Sequence, residues 1–566
     1  MGADLFESFV GGIIAAMVLG SQHFGSVGAS LPLWVACVGI IGGILGDSNI
    51  KTDENATLKS LLHSMHVNIY LSSILILGGI AGVCWVVLAD VTESSYTLSA
   101  DGKYTLQTPT GVDAWSVALR LFLAVVVGLL AGEFISQATE YFTSHDFSPT
   151  RNIAKAGRFA AGTVIIQGIG QGMLSTVIPT ILVTVTIIWA YTMLSGFAVA
   201  MAAVGMLSTL GVTMACDAYG PIADNAGGIA EMADDIGTDS ETTREKTDLL
   251  DAMGNTTAAT GKGFSNASAV LTALSTLAAF MDEAGLVQVS LTGNIFVIAG
   301  LMIGALLPYI FVAQTMLAVG RAAEDMIAEV QDQFSDPVRK KGIMDRADGY
   351  RAGQANGPDH NKCIMISTAA SIREMILPGC MAVFAPLVIG FLFGALGLCG
   401  MLLGSISSGY LMGVMTSNAG GAWDNAKKYV EAGYLNVDEN GVKTDKHNRH
   451  GKGTETHHNV VAGDTVGDPF KDTSGPALNC LIKLMTLFAF VFATAFPRSV
   501  TAANYGEKWY IGLILIVVFG MVVMMVSYGF PARPDLMDKI EKQRMQNEAK
   551  AAQSMPLKDE SSPVEV

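Results

Sequence analysis

Charge is scarce in this 566-residue chain: Asp, Glu, Lys and Arg make up 15% of it, against about 25% in ordinary soluble domains. That shortage argues against a soluble enzyme. Basic residues are the scarcer sign, 34 Lys and Arg against 50 Asp and Glu for a net charge of −16. With a pI near 5.0, a basic surface for nucleic acid is excluded. Cysteine occurs seven times, always singly (Cys37, Cys84, Cys216, Cys363, Cys380, Cys399, Cys480) and without CxxC spacing. Neither a disulfide framework nor a zinc knuckle is expected. The first residues also lack the basic start and acid-free apolar run of a signal peptide, because Asp4 and Glu7 fall among them.

Apolar residues are abundant: they form 51% of the chain, alongside 62 Gly and 28 Met, with mean hydropathy +0.44. That composition suits helices packed closely in a bilayer. Windows of roughly 19 residues predict about twelve spans, each near the roughly 20 residues that a bilayer crossing needs. They fall at 3–23, 29–47, 67–90, 113–136, 162–193, 195–217, 257–283, 291–319, 378–398, 400–420, 475–496 and 509–531. The 195–217 span is expected to continue to residue 233, and 400–420 to residue 432. The connection 320–377 carries Arg321, Arg339, Lys340, Lys341, Arg346, Arg351, Lys362 and Arg373, whereas 91–112 holds only Lys103. The positive-inside rule puts 320–377 in the cytoplasm. Alternation then puts 48–66, 137–161, 234–246, 433–463, Met1 and the C-terminal tail (Lys539, Lys542, Arg544, Lys550) there too. Residues 433–463 read as a solvated loop. The expected fold is an all-α polytopic membrane protein whose catalytic helices extend into the cytoplasm.

Acids in or beside membrane helices are rare and usually functional, and here they recur with helical spacing at the cytoplasmic ends of four spans. Asp217, Asp224 and Glu231 lie seven apart and share one helix face. Asp248, Asp251 and Asn255 form a second stripe, followed by Lys262; Asn418, Asp424, Asn425, Lys427 and Lys428 form a third. The fourth runs Asp464, Asp468, Lys471, Asp472 and on to Asn479 and Lys483. A single such stripe reads as a solvated cap, and Lys483 taken alone reads as a snorkelling side chain. Four together make coincidence improbable. So much negative charge requires divalent cations, and all-oxygen ligands select Mg²⁺. The interspersed lysines suit an anion held on those metals, which points to phosphoryl chemistry. Thr260-Gly261-Lys262-Gly263 fails the phosphate-loop pattern, because Gly263 sits where Ser or Thr is needed. His447, His450, His457 and His458 read as solvated loop histidines.

In Asp217–Met232, Thr247–Phe264, Asn418–Ala432 and Gly463–Met485 the chain resembles the membrane-integral inorganic pyrophosphatases, ion pumps driven by pyrophosphate hydrolysis. The resemblance covers 1–497 as a family core, with 498–566 reading as an extra transmembrane helix and basic cytoplasmic tail. It implies that Asp224, Asn255, Asp424, Asp464, Asp468 and Asp472 face a Mg²⁺–pyrophosphate complex. Lys427, Lys428 and Lys471 would bind phosphate, and Asp472 would be one of two carboxylates orienting the attacking water. Asp4, Glu7 and Lys483, with Ser8 and Asn479 beside them, would form a buried ion gate. Ala258 and Gly261 resemble the K⁺-dependent branch, and Glu7 three residues after Asp4 resembles Na⁺-pumping members. A homodimer in a prokaryotic plasma membrane, with a cytoplasmic active site, is implied as well.

Two acidic motifs and the first helices of the family have no counterpart before Met1. The expectation is therefore an N-terminally truncated fragment or a misplaced start, with Asp472 lacking its partner carboxylate and Glu7 lacking an arginine. Alone, the polypeptide is expected to be an inactive remnant. Alternatives for the whole are an H⁺ or Na⁺/H⁺ pump of the same family, or a non-hydrolytic anion/cation transporter.

Overall fold

Inside a bilayer no water satisfies the backbone, so runs this apolar must close their hydrogen bonds internally, as helices. The computed structural model describes residues 2–47, 57–88, 95–98, 104–107, 114–232, 240–335, 337, 340, 358–436, 450–498 and 508–529. Its helices are α1 (Gly2–Asp47), α2 (Leu58–Val87), α3 (Ala114–Thr143), α4 (Ser148–Ala156), α5 (Ala161–Ser175), α6 (Val177–Met206) and α7 (Leu210–Met232). They continue with α8 (Ser240–Glu283), α9 (Ile295–Ser335), α10 (His360–Glu431), α11 (Glu455–Asp468), α12 (Gly475–Val491) and α13 (Trp509–Gly529).

Among the described residues, eight helical runs are long and apolar enough to cross a membrane, and Trp509–Met525 is a shorter apolar helix. Three of the eight are broken within a single long helix. In α1 the break is Phe24–Gly25, where Gly25 takes φ +60, a left-handed conformation that glycine adopts without penalty. In α6 it is Leu194–Ser195, with Ser195 at φ +51, and in α10 it is Gly394 at φ +73. Counting both sides of each break, and α13, recovers the twelve spans expected. Within the described residues the extensions of these two spans run to Met232 and Glu431, one residue short of the expected limits.

Three expectations need correction. Residues 91–112 are not purely loop: Ser95–Leu98 (β1) and Tyr104–Gln107 (β2) pair antiparallel, Tyr96 opposite Leu106. Alternating Tyr and Thr around Asp101-Gly102 was the available signal. Residues 433–463 are not all solvated loop, since α11 begins at Glu455 and Thr454 caps it by accepting from the His457 amide. Two of the histidines there are packed, His457 Nε2 lying 2.8 Å from Glu431 and His450 Nδ1 2.9 Å from Thr456, whereas His458 is exposed. His447, Arg339, Lys341, Arg346, Arg351 and the tail beyond residue 529 lie outside the described residues.

The chain divides into two compact units, Met1–Ala313 with Met381–Ile516, and Gln314–Cys380 with Val517–Val566. This division concerns packing, not the family-core boundary expected at residue 497. In the second unit, Glu329 receives Lys362 at 2.6 Å and Gln333 at 2.9 Å, while Arg321 and Arg373 both clasp Glu374. In the first, small residues bring helices together. A Cβ on Gly128 would sit 2.0 Å from the Ala202 carbonyl, so α3 and α6 touch backbone to backbone.

Candidate functional site

One residue orients the third acidic stripe. Trp423 is fully buried and its indole donates to the Val164 carbonyl at 3.0 Å. It fills notches left by Gly168 on α5 and Gly463 on α11. That fixes the rotation of α10 and turns the next residue, Asp424, towards the ends of α7, α8 and α11. After α11 the chain makes a π-helical turn, Pro469–Ser474, as the missing Pro469 amide proton permits. The fourth stripe is therefore not one regular face. The extra residue in the turn carries Lys471 and Asp472 against α10, where Gly420 admits the Lys471 Cβ and the Gly467 carbonyl.

The result is a cavity of about 480 Å³ lined by residues that include Asp217, Asp224, Asn225, Asn255, Ala258, Lys262, Ser417, Lys471 and Asp472. Lys471 bonds Asp424 and lies 3.0 Å from Asp468 and 3.9 Å from Asp472. Lys427 reaches Asp464 at 2.5 Å and Asp424 at 3.4 Å. Lys428 reaches Asp251 at 2.7 Å, Asp424 at 3.7 Å and Asp224 at 3.9 Å. Lys262 Nζ bonds Asp472 at 2.9 Å. Exposure sorts the acids: the Asp424 and Asp464 side chains are 4% and 7% exposed, but Asp468, Asp472 and Asp224 are 54%, 58% and 64% exposed. The first two are buried against lysines; the last three are open to solvent.

Oxygens of Asp424, Asp464 and Asp468 lie within 4.8 Å of one another. Among the described residues, Asp251 Oδ1 and Asp464 Oδ1 are buried without a hydrogen-bond partner. Clustered hard oxygens with unsatisfied lone pairs are the donor set of a magnesium-type cation, so these residues fit the metal that the sequence implied.

A second cluster lies among α1, α8 and α12. Lys483 is 4% exposed, so it does not snorkel. Its ammonium bonds Asp4, Ser8 Oγ at 3.0 Å and Glu7 at 3.2 Å. Asp4 Oδ2 accepts from Ser265 at 2.6 Å and from Asn479 at 3.1 Å. All five residues expected here from the sequence are brought together.

Sequence reasoning missed Ser265, and gave no role to Lys262, Asp251 and Asp217, although Asn255, Ala258, Lys262 and Ser265 continue one stripe of α8. It also paired Ala258 with Gly261, which part company. Ala258 lines the main cavity, whereas Gly261 lines a separate pocket of about 30 Å³ with His66, Glu133 and Glu140.

The family model of the inorganic H⁺ pyrophosphatases matches residues 1–492. A protein of Bacteroides thetaiotaomicron, provisionally named a K⁺-stimulated pyrophosphate-energized sodium pump, is 42% identical over 541 residues, 87% of this chain and 66% of its own length. The K⁺-stimulated pyrophosphate-energized sodium pump of Thermotoga maritima is 34% identical over 529 residues (88% and 66%). A K⁺-insensitive pyrophosphate-energized proton pump of Methanosarcina mazei is 35% identical over 504 residues (87% and 66%). The chain thus spans 66% of the length of these curated relatives. The expectation of a chain lacking the family's N-terminal helices is not borne out by the family match, which runs from residue 1. By that match, and by the acid-and-lysine cavity beside a buried ion-paired cluster, the chain belongs to the inorganic H⁺ pyrophosphatase family of polytopic membrane proteins.

Proposed function

We propose that this chain hydrolyses Mg²⁺–pyrophosphate in the 480 Å³ cavity and couples the reaction to Na⁺ export through the Asp4–Lys483 cluster, with K⁺ as activator. The observation that carries the reading is the Lys262–Asp472 ion pair. It joins the water-facing acid of the cavity to the helix whose next turn, at Ser265, bonds Asp4.

Lys427, Lys428 and Lys471 are the phosphate ligands, each a point charge able to donate charge-assisted hydrogen bonds. Asp224, Asp424, Asp464, Asp468 and Asn255 would hold Mg²⁺, which when bound neutralises charge on the phosphate oxygens. Asp472, exposed and held by Lys262, accepts a proton from the attacking water as its oxygen bonds to phosphorus. The bridging P–O bond breaks, and two phosphates leave. No acceptor side chain is phosphorylated.

Asp4, Glu7, Ser8, Asn479 and Lys483 form the gate, where Na⁺ would compete with the Lys483 ammonium for the two carboxylates. Ala258 leaves room for K⁺ at the cavity wall. Relatives named as sodium pumps and as a proton pump both match this chain, so the Na⁺ assignment rests on Glu7 standing one turn from Asp4. We further take 1–497 as the catalytic core and 498–566 as an added helix and tail. The protein is read as a homodimer in the plasma membrane with its cavity facing the cytoplasm.

The test is phosphate release from pyrophosphate by membranes containing the full chain, with Mg²⁺, K⁺ and Na⁺ varied separately, alongside Na⁺ uptake into inverted vesicles. Hydrolysis requiring Mg²⁺ and raised by K⁺ and Na⁺ is expected. Na⁺ uptake without phosphate release would return the molecule to the non-hydrolytic transporters.

A further inference from the structure

Between the cavity and the gate, α8, α10 and α12 enclose polar atoms that no described residue satisfies. Asn266 is 1% exposed, and both its amide nitrogen and its oxygen lack a hydrogen-bond partner. Asn479, 2% exposed, turns its nitrogen to Asp4 and Ser265 and leaves Oδ1 without a partner. Both amide oxygens face the same spot on α10. A Cβ built on Gly413 would lie 2.6 Å from Asn266 Oδ1 and 3.8 Å from Asn479 Oδ1. One turn further along α10, Ser417 is 1% exposed, its hydroxyl is also unpartnered, and it lines the main cavity.

Buried polar groups are almost always paired, so two amides aimed at one glycine notch call for a ligand. We propose that Asn266 and Asn479, at the Gly413 notch, form a coordination station for a monovalent metal cation passing between the catalytic cavity and the Asp4–Glu7 gate. The inference rests on the pump reading above and deepens it. Amide oxygens replace water around a metal ion. They carry no titratable proton, so the pair is a ligand set for Na⁺ rather than a link in a proton relay. Neutral oxygens also bind weakly enough to release the ion onwards, as conduction requires. The nitrogen of Asn479 already holds Asp4, so the same side chain touches both the station and the gate.

The experiment is equilibrium binding of radioactive sodium to the purified full chain in nanodiscs, with choline as the replacement cation, and pyrophosphate hydrolysis measured on the same sample. Asn266→Leu, close in shape but without the oxygen, is expected to weaken Na⁺ binding roughly tenfold, the effect of losing one good ligand. Gly413→Ala should do the same by driving a methyl at Asn266. Asn266→Asp, which keeps an oxygen, should retain or tighten binding, and it separates ligand loss from misfolding. Parent-like Na⁺ binding by both Asn266→Leu and Gly413→Ala, or no Na⁺ bound by the parent, would show a water pocket only and overturn the station. Asn266-dependent Na⁺ binding without hydrolysis would sink the hydrolytic reading alone. Hydrolysis with Asn266-independent binding would sink the station alone.

Discussion

Lys483 and Asp4 are both almost wholly buried, and a buried ion pair is valuable chiefly because each partner needs the other. Removing one partner strands a charge and destabilises by about 3–5 kcal/mol, whereas replacing both is often nearly neutral. Lys483→Met should therefore lower the thermal unfolding midpoint of the solubilised chain markedly, and Asp4→Asn/Lys483→Met should regain most of the loss. Equal midpoints for the single variant and the parent would show that the pair is not formed. For hydrolysis, Asp472→Asn keeps an acceptor for Lys262 but removes the base. Phosphate release should fall roughly 10²–10⁴-fold with KM little changed; a rise in KM alone would make Asp472 a binding group instead. Single residues were unequally legible. Asp424 and Lys483 stood out because charges are rare in such apolar surroundings. Ser265 and Asn266 did not, because small polar residues are common on membrane helices and only three-dimensional neighbours show what they face.

Helical elements were legible by length and hydropathy, and the acidic stripes by their 3.6-residue period. Two departures escaped that logic. The π turn at Pro469–Ser474 adds a residue to one turn, so spacing counted along a regular helix misplaces Lys471 by about 100°. The helical start at Glu455 depends on a cap made by Thr454, amid polar residues that look like loop. Close approach of elements is equally invisible to periodicity. A Cβ on Gly420 would lie 2.5 Å from the Gly467 carbonyl, whereas one on Gly228 of α7 would meet nothing within 4 Å. Gly420→Ala is expected to push α10 from the π turn, destabilise by about 1–3 kcal/mol and cripple hydrolysis. Gly228→Ala should be neutral or stabilising by up to about 1 kcal/mol. Differential scanning fluorimetry of the two variants decides it, and similar midpoints would mean that α10 and the turn are not packed as described.

Across the whole molecule, the cavity draws its acids and lysines from α7, α8, α10, α11 and the π turn, whose sequence positions run from Asp217 to Asp472. A ligand gripping all of them must stabilise the fold as a unit. At a hundredfold excess over its dissociation constant, such a ligand adds about 2.7 kcal/mol to stability. Mg²⁺ together with a non-hydrolysable pyrophosphate analogue should raise the unfolding midpoint, and chelating the metal should cancel the rise. A shift produced by the analogue without metal would take the carboxylates out of the metal site. The longest-range feature in this arrangement is α8 itself. It runs 44 residues without a proline or a non-helical residue, with Asp251 bonded to Lys428 in one cluster and Ser265 to Asp4 in the other. Those two residues stand about 21 Å apart along the axis. One helix bonds both clusters, so a shift of its cavity end is expected to be carried along the axis towards Asp4. On that expectation it acts as a push-rod between two chambers, and bending at Gly254, Gly261 and Gly263 sets how much of the stroke is passed on.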